Sequence, residues 1–152
     1  MNASVKNYKN LNPKHKKIIF YTLVGVLLFA FGTIGLGLSE NKLLLENEHI
    51  EITGVYGEKI PVSDIRSIEL TDKRHSLKRR TNGFSMAGRK KDFFKATSGE
   101  KIKLIINSQV RPWILITKKS GEKIYFSASE QSNESIYQEL KKTLPSKTKI
   151  NS

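Results

Sequence analysis

The chain has 152 residues and carries 27 Lys and Arg against 14 Asp and Glu, which gives a formal net charge of +13. A surplus of this size predicts an anionic partner, either nucleic acid or an anionic membrane surface. The absence of cysteine excludes a disulfide framework, a thiolate nucleophile and a cysteine-ligated zinc site.

The first element is an uncharged apolar segment at residues 18–38, which follows a basic N-terminal tail at residues 1–17. Its 21 residues would reach about 31 Å as an α-helix, the thickness of a bilayer's hydrocarbon core. A helix in a soluble core rarely lacks a polar face over such a length. A cleaved signal peptide is the main alternative, but the apolar run is long and no A-x-A cleavage pattern ends it. The sequence therefore predicts a retained transmembrane helix.

The charges that flank this segment predict its orientation in a cell membrane. Only Lys42 is basic in the 20 residues that follow it, whereas five lysines precede it: Lys6, Lys9, Lys14, Lys16 and Lys17. Because Lys and Arg near a span favour the cytoplasmic side, we expect a cytoplasmic N-terminus and an extracytoplasmic domain. The 114 residues after Leu38 suit one domain with its own core.

Residues 39–145 are predicted to form this domain, beginning with several antiparallel strands. The stretches "KLLLENEHIEIT", "IPVSDIRSIEL" and "KIKLIINS" have strand-like alternation, and Gly57 marks a turn between the first two. The clearest hairpin joins Trp113–Lys118 to Lys123–Ser127 around the turn pair Ser120-Gly121.

The domain is predicted to end in one amphipathic helix. In "SEQSNESIYQELKKTL" the residues Ile136, Leu140 and Leu144 form an apolar stripe. Ser129 or Ser132 can cap its start, and Pro145 stops it. The fold class is therefore mainly β with a C-terminal helix, as a small open barrel or sandwich, and residues 146–152 are predicted to be a flexible tail.

Three stretches, followed by this helix, resemble a known family: "GEKIPVSDIRSIEL", "RRTNGFSMAGRKKDFFKATSGEKIKLIINS" and "WILITKKSGEKIYFSASE". Over residues 43–144 the pattern resembles the bacterial pleckstrin-homology-like (PH-like) domains, many of which are membrane-anchored and most of which are uncharacterised. The resemblance implies a bent antiparallel sheet of seven strands, capped at one end by the C-terminal helix. It implies no ligand positions.

A basic stretch between Asp72 and Lys95 is the predicted binding surface. It is predicted to be a loop, with turns at Asn82-Gly83 and Gly88 and with Phe84, Met86, Phe93 and Phe94 interleaved. We expect its charges to bind anionic headgroups and its apolar tip to enter the membrane interface. The alternative is a solvated face with the aromatic side chains in the core. The basic residues are Lys73, Arg74, Lys78, Arg79, Arg80, Arg89, Lys90, Lys91 and Lys95.

Patterns that would indicate catalysis are missing from the sequence. His15, His49 and His75 have no metal-ligand spacing, no Gly-rich phosphate loop precedes a helix, and no carboxylate pair suits acid–base chemistry. We therefore expect no enzyme, no cofactor and no metal.

The predicted function is a single-pass, membrane-anchored interaction module that binds anionic membrane lipids or a protein partner. One alternative is a structural subunit of a membrane complex. Another is a nucleic-acid-binding domain in which Trp113 and the Phe residues stack on bases, but the membrane segment argues against it.

Overall fold

The structure is a computed structural model. It describes residues 12–46, 48–73, 77–97, 99–144 and 149–151. For residues 77–82, 84 and 149–151 it describes the backbone alone. The chain divides into two compact units, Met1–Leu36 and Gly37–Ser152.

Helix α1 (Pro13–Leu38) starts five residues before the predicted span. The Asn12 side chain accepts a hydrogen bond from the Lys14 amide at 3.0 Å, and proline suits the first position of a helix. Within the described part of the chain, α1 alone is long and apolar enough to cross a membrane.

From Ile18 onward, the surface of α1 is apolar on all sides. Its large side chains are exposed, with Phe29 at 74%. The hydroxyls of Thr22 and Thr33 donate to backbone carbonyls of the same helix, at 2.9 and 2.8 Å, which is how polar groups are satisfied in lipid. An apolar surface of this extent requires a membrane or another apolar partner.

A small antiparallel sheet opens the second unit. Its strands are β1 (Leu43–Glu46), β2 (His49–Ile52) and β3 (Glu58–Pro61), paired in that order. Ile50, Ile52 and Ile60 are buried on its inner side. The turn from β2 to β3 requires glycine, because a Cβ at Gly57 would lie 2.0 Å from the Ile52 carbonyl oxygen.

The larger sheet has seven strands in the order β10-β4-β8-β9-β7-β6-β5. Their bounds are β4 (Ile65–Thr71), β5 (Leu77–Met86), β6 (Arg89–Ala96), β7 (Lys101–Ile106), β8 (Trp113–Lys118), β9 (Lys123–Ser127) and β10 (Lys149–Asn151). A short 3₁₀ turn, Val62–Asp64, precedes β4. The predicted hairpin of β8 and β9 is confirmed, with Ile116 opposite Ile124.

Two strand pairs of this sheet differ from the antiparallel expectation. The β8–β9 hairpin places β9 beside β7 in parallel, and β10 runs parallel to β4. Strand β10 also falls in residues 146–152, which the sequence predicted to be a flexible tail. The sheet is therefore mixed.

Both faces of the large sheet carry buried apolar side chains. One cluster joins Ile105, Ile114 and Phe126 to the small sheet and to the C-terminal helix, and a second contains Leu104, Trp113, Leu115 and Tyr125. Apolar residues at alternate positions of a strand reach opposite faces, which explains the two clusters.

Helix α2 (Asn133–Thr143) confirms the predicted C-terminal helix. Its buried stripe contains Ile136, Tyr137 and Leu140. Ser132 is the cap, since its hydroxyl accepts a hydrogen bond from the Ser135 amide at 3.1 Å. The predicted stop at Pro145 lies outside the described residues.

Candidate anionic-surface site

The basic stretch forms a β-hairpin, which corrects the prediction of a loop. Strands β5 and β6 are joined by Ala87 and Gly88, whose φ angles of 49° and 78° are the combination of a type I′ turn. The earlier predicted turn at Asn82-Gly83 lies within β5. A Cβ at Gly83 would lie 2.5 Å from the Lys91 carbonyl oxygen, so this glycine serves a close strand approach and not a turn.

Four of the predicted basic residues lie at or near the surface. Lys95 and Lys73 are exposed, and Arg89 and Lys90 are half-buried. Lys73 follows β4 and not the hairpin, and three strands separate β4 from β6 in the sheet order. Arg89 and Lys90 directly follow the hairpin turn.

Four other predicted residues cannot be assigned a side-chain position. Arg74 lies outside the described residues. Strand β5 contains Lys78, Arg79 and Arg80. At these three positions the structure describes the backbone alone. They remain predictions for the anionic surface.

The prediction that Lys91 belongs to the binding surface is wrong, because its side chain is fully buried. Its Nζ donates a hydrogen bond to the Ser39 carbonyl. Burial lowers the pKa of Lys91, and the neighbouring positive charge of Arg89 lowers it further. Lys91 therefore holds the domain together and does not face a ligand.

The two phenylalanines of β6 pack within the domain. Phe93 meets the ring of Tyr56 edge to face at 5.3 Å between centroids, and Lys103 Nζ lies 5.2 Å from its ring centre. Phe94 packs against the core cluster of Trp113. Phe93 and Phe94 thus pack within the domain, as the alternative interpretation expected, while the side chain of Phe84 lies outside the described part of the structure. Arg89, Lys90 and Lys95 retain surface exposure.

The hairpin tip has an apolar component, of which the sequence analysis named Met86 and missed Val110. Met86, at the end of β5, is 45% exposed. Gln109 donates a hydrogen bond to the Gly88 carbonyl, and this contact places the neighbouring Val110, which is 68% exposed, beside the turn. No periodicity in the sequence marks Val110, because it lies in an irregular segment that only the fold brings to the hairpin.

The residues that directly follow α1 are built into the domain. The Glu40 carboxylate accepts hydrogen bonds from the amides of Ser129 and Glu130, at 2.8 and 3.4 Å. Burial alone would raise the pKa of Glu40, but these hydrogen bonds and the charge of Arg89 outweigh it and hold the pKa below its ordinary value. Through Ser39 and Lys91, the same segment is tied to β6.

A buried amide pair completes this attachment. Asn41 donates from its backbone to Asn107 Oδ1 at 3.1 Å, and Asn107 Nδ2 returns a hydrogen bond to the Asn41 carbonyl at 2.8 Å. Asn41 and Asn107 are both buried. The start of the domain and the basic hairpin therefore form one hydrogen-bonded region.

Comparison of the chain with protein-family models, with curated proteins and with solved structures finds no match.

Proposed function

We propose that the chain is a single-pass membrane protein whose domain is a non-catalytic, PH-like interaction module for anionic lipid headgroups. The tip of the β5–β6 hairpin is the contact surface. The observation that carries this proposal is the hydrogen bond from Lys91 to Ser39. It fixes the basic hairpin to the residue that directly follows the apolar helix, so the charges are held close to the point where the chain leaves the membrane.

The composition of the tip suits a membrane interface. Arg89 and Lys90 follow the turn, and Met86 and Val110 expose apolar surface beside it. A basic residue near an anionic leaflet contributes about 1 kcal/mol. The attraction fades over a Debye length of about 8 Å, so only charges held close to the surface contribute.

Orientation and fold assignment belong to the same proposal. The lysines before α1 support a cytoplasmic N-terminus and an extracytoplasmic domain. Protease added to intact cells should then cleave the domain, and full protection would contradict this orientation. Six strands of the large sheet precede α2, and this succession supports the PH-like assignment, while the parallel pairs β7–β9 and β10–β4 depart from an antiparallel sheet.

The test uses the full chain in a non-ionic amphipol, which leaves the hairpin tip open to solvent, immobilised on a sensor surface. Free vesicles that contain phosphatidylglycerol should bind, vesicles of phosphatidylcholine alone should not, and added salt should weaken the binding. The double variant Arg89→Gln/Lys90→Gln should lower vesicle affinity about 30-fold, because two contributions of about 1 kcal/mol are lost. The matched control Lys141→Gln/Lys142→Gln, which neutralises two exposed residues of α2, should keep the affinity.

The neighbours Lys90 and Lys91 give a second matched pair. Lys90→Met should lower the affinity about fivefold. Lys91→Met removes a buried hydrogen bond and not a surface charge, so it should lower the melting temperature of the domain, because the Ser39 carbonyl loses its donor. Equal binding by the double variant and the α2 control would contradict the proposal. Binding of a single-stranded oligonucleotide without any binding of anionic vesicles would favour the nucleic-acid alternative instead.

A further inference from the structure

The β1–β2 hairpin brings together one imidazole and two carboxylates. Ligand atoms of Glu46, His49 and Glu51 all lie within 4.8 Å of one another. Strand pairing explains this arrangement, because Glu46 lies opposite His49 in the register. Glu51 is two residues further along β2 and so points to the same side of the sheet as His49.

His49 has an unsatisfied ring nitrogen within this cluster. Its Nε2 is shielded from solvent and makes no hydrogen bond to the described residues. The nearest carboxylate oxygen, Glu46 Oε2, is 3.5 Å away, which is too long for a good hydrogen bond. A buried polar atom without a partner costs free energy, and a ligand that binds it recovers that cost.

We propose that Glu46, His49 and Glu51 bind a divalent first-row cation of the Zn²⁺ type. One nitrogen and two oxygen ligands suit zinc, whereas Ca²⁺ and Mg²⁺ favour oxygen alone. Two ligand atoms of a tetrahedral zinc ion lie about 3.4 Å apart, close to the 3.5 Å between His49 Nε2 and Glu46 Oε2. With three protein ligands, a fourth position stays open for water or another ligand.

Lys59 is the cation that now occupies part of this cluster. It lies opposite Glu51 in the β2–β3 register, and its Nζ is 2.9 Å from Glu51 Oε2. Because the Lys59 side chain is 63% exposed, it can move into solvent when a metal ion binds. The ammonium and the metal ion therefore compete for the Glu51 carboxylate.

The test is a Zn²⁺ titration of the full chain in neutral detergent micelles, in competition with a chromophoric chelator. His49→Ala and Glu46→Gln should each weaken Zn²⁺ affinity at least tenfold. The matched control His15→Ala removes a histidine of α1 and should leave the affinity unchanged. Lys59→Met should strengthen the affinity, because it removes the competitor of the metal ion without removing a ligand.

Two results would overturn the zinc site. One is a Zn²⁺ affinity of His49→Ala equal to that of the unmodified chain. The other is a Zn²⁺ affinity of Lys59→Met no higher than that of the unmodified chain. If His49→Ala fails to fold, the NMR signals of the histidine rings in the unmodified chain test the site instead. The His49 signals must shift when Zn²⁺ is added, and unchanged His49 signals would overturn the zinc site. Neutral micelles contain no anionic lipid, so the result is independent of the proposed lipid binding.

Discussion

At the scale of single residues, Glu58 of β3 is a charge with two ionic partners. Its carboxylate accepts hydrogen bonds from Lys103 at 2.7 Å and from Lys118 at 2.6 Å, and Lys118 also donates to Glu122 at 2.8 Å. Burial alone would raise the pKa of Glu58, but the two lysines outweigh it and hold the pKa below its ordinary value of 4.5. Glu58 thus joins the small sheet to β7 and β8 of the large sheet.

Glu58→Gln should destabilise the domain by about 3 kcal/mol, because it takes the carboxylate from the poorly exposed Lys103 ammonium and leaves Lys118 with Glu122 alone. Glu122→Gln is the matched control and should cost less than about 1 kcal/mol, since Lys118 keeps Glu58. Thermal unfolding of the full chain in micelles measures both. Equal losses in the two variants would contradict the role of Glu58.

The pH dependence of this variant has a defined sign. A carboxylate whose folded pKa is depressed stabilises the fold above its unfolded pKa, and this stability is lost as the pH falls through the folded value. The Glu58 contribution should therefore be complete at neutral pH and decline below pH 4.5. The difference in melting temperature between the unmodified chain and Glu58→Gln should shrink over the same range.

At the scale of secondary-structure elements, the sequence predicted those with strong local patterns. The β8–β9 hairpin has a Ser-Gly turn between apolar runs, and α2 has an apolar stripe with a cap. The β5–β6 hairpin was missed because β5 is rich in polar and basic residues and contains an Asn-Gly pair that is typical of turns. Parallel pairing of β7 with β9 depends on distant strands, which no local pattern reveals.

The candidate site was predicted only in part, and for a related reason. Charge density along the chain identified Arg89, Lys90 and Lys95, but it also included Lys91, whose burial depends on contact with Ser39. The three possible zinc ligands were missed because they come from two strands. Their proximity follows from the β1–β2 register and not from spacing along the chain.

The cap of α2 distinguishes two serines that the sequence left as alternatives. Ser132→Ala should destabilise the domain by about 1 kcal/mol, because the Ser135 amide loses its acceptor. Ser129→Ala is the matched control and should cost less than Ser132→Ala, since it removes only an exposed hydroxyl contact to Glu40, to which the Ser129 amide still donates. Chemical denaturation curves measure the free energy of unfolding of both variants. A larger loss of stability in Ser129→Ala than in Ser132→Ala would contradict the assignment of the cap to Ser132.

At the scale of the whole molecule, an apolar helix and a strongly basic chain are combined. The net charge of +13 would attract the domain to any polyanion. In the proposed arrangement α1 restricts which polyanions matter, because a segment that spans the membrane would keep the attached domain at one lipid surface. The proposed lipid binding by a weak basic patch would be effective only under this restriction, since tethering raises the effective concentration of lipid at the patch.

Membrane fractionation of cells that produce the full chain tests this central claim most directly. The account predicts that the intact chain sediments with membranes, resists extraction by high salt and alkaline carbonate, and enters solution only with detergent. Intact chain recovered from the soluble fraction without detergent would contradict it.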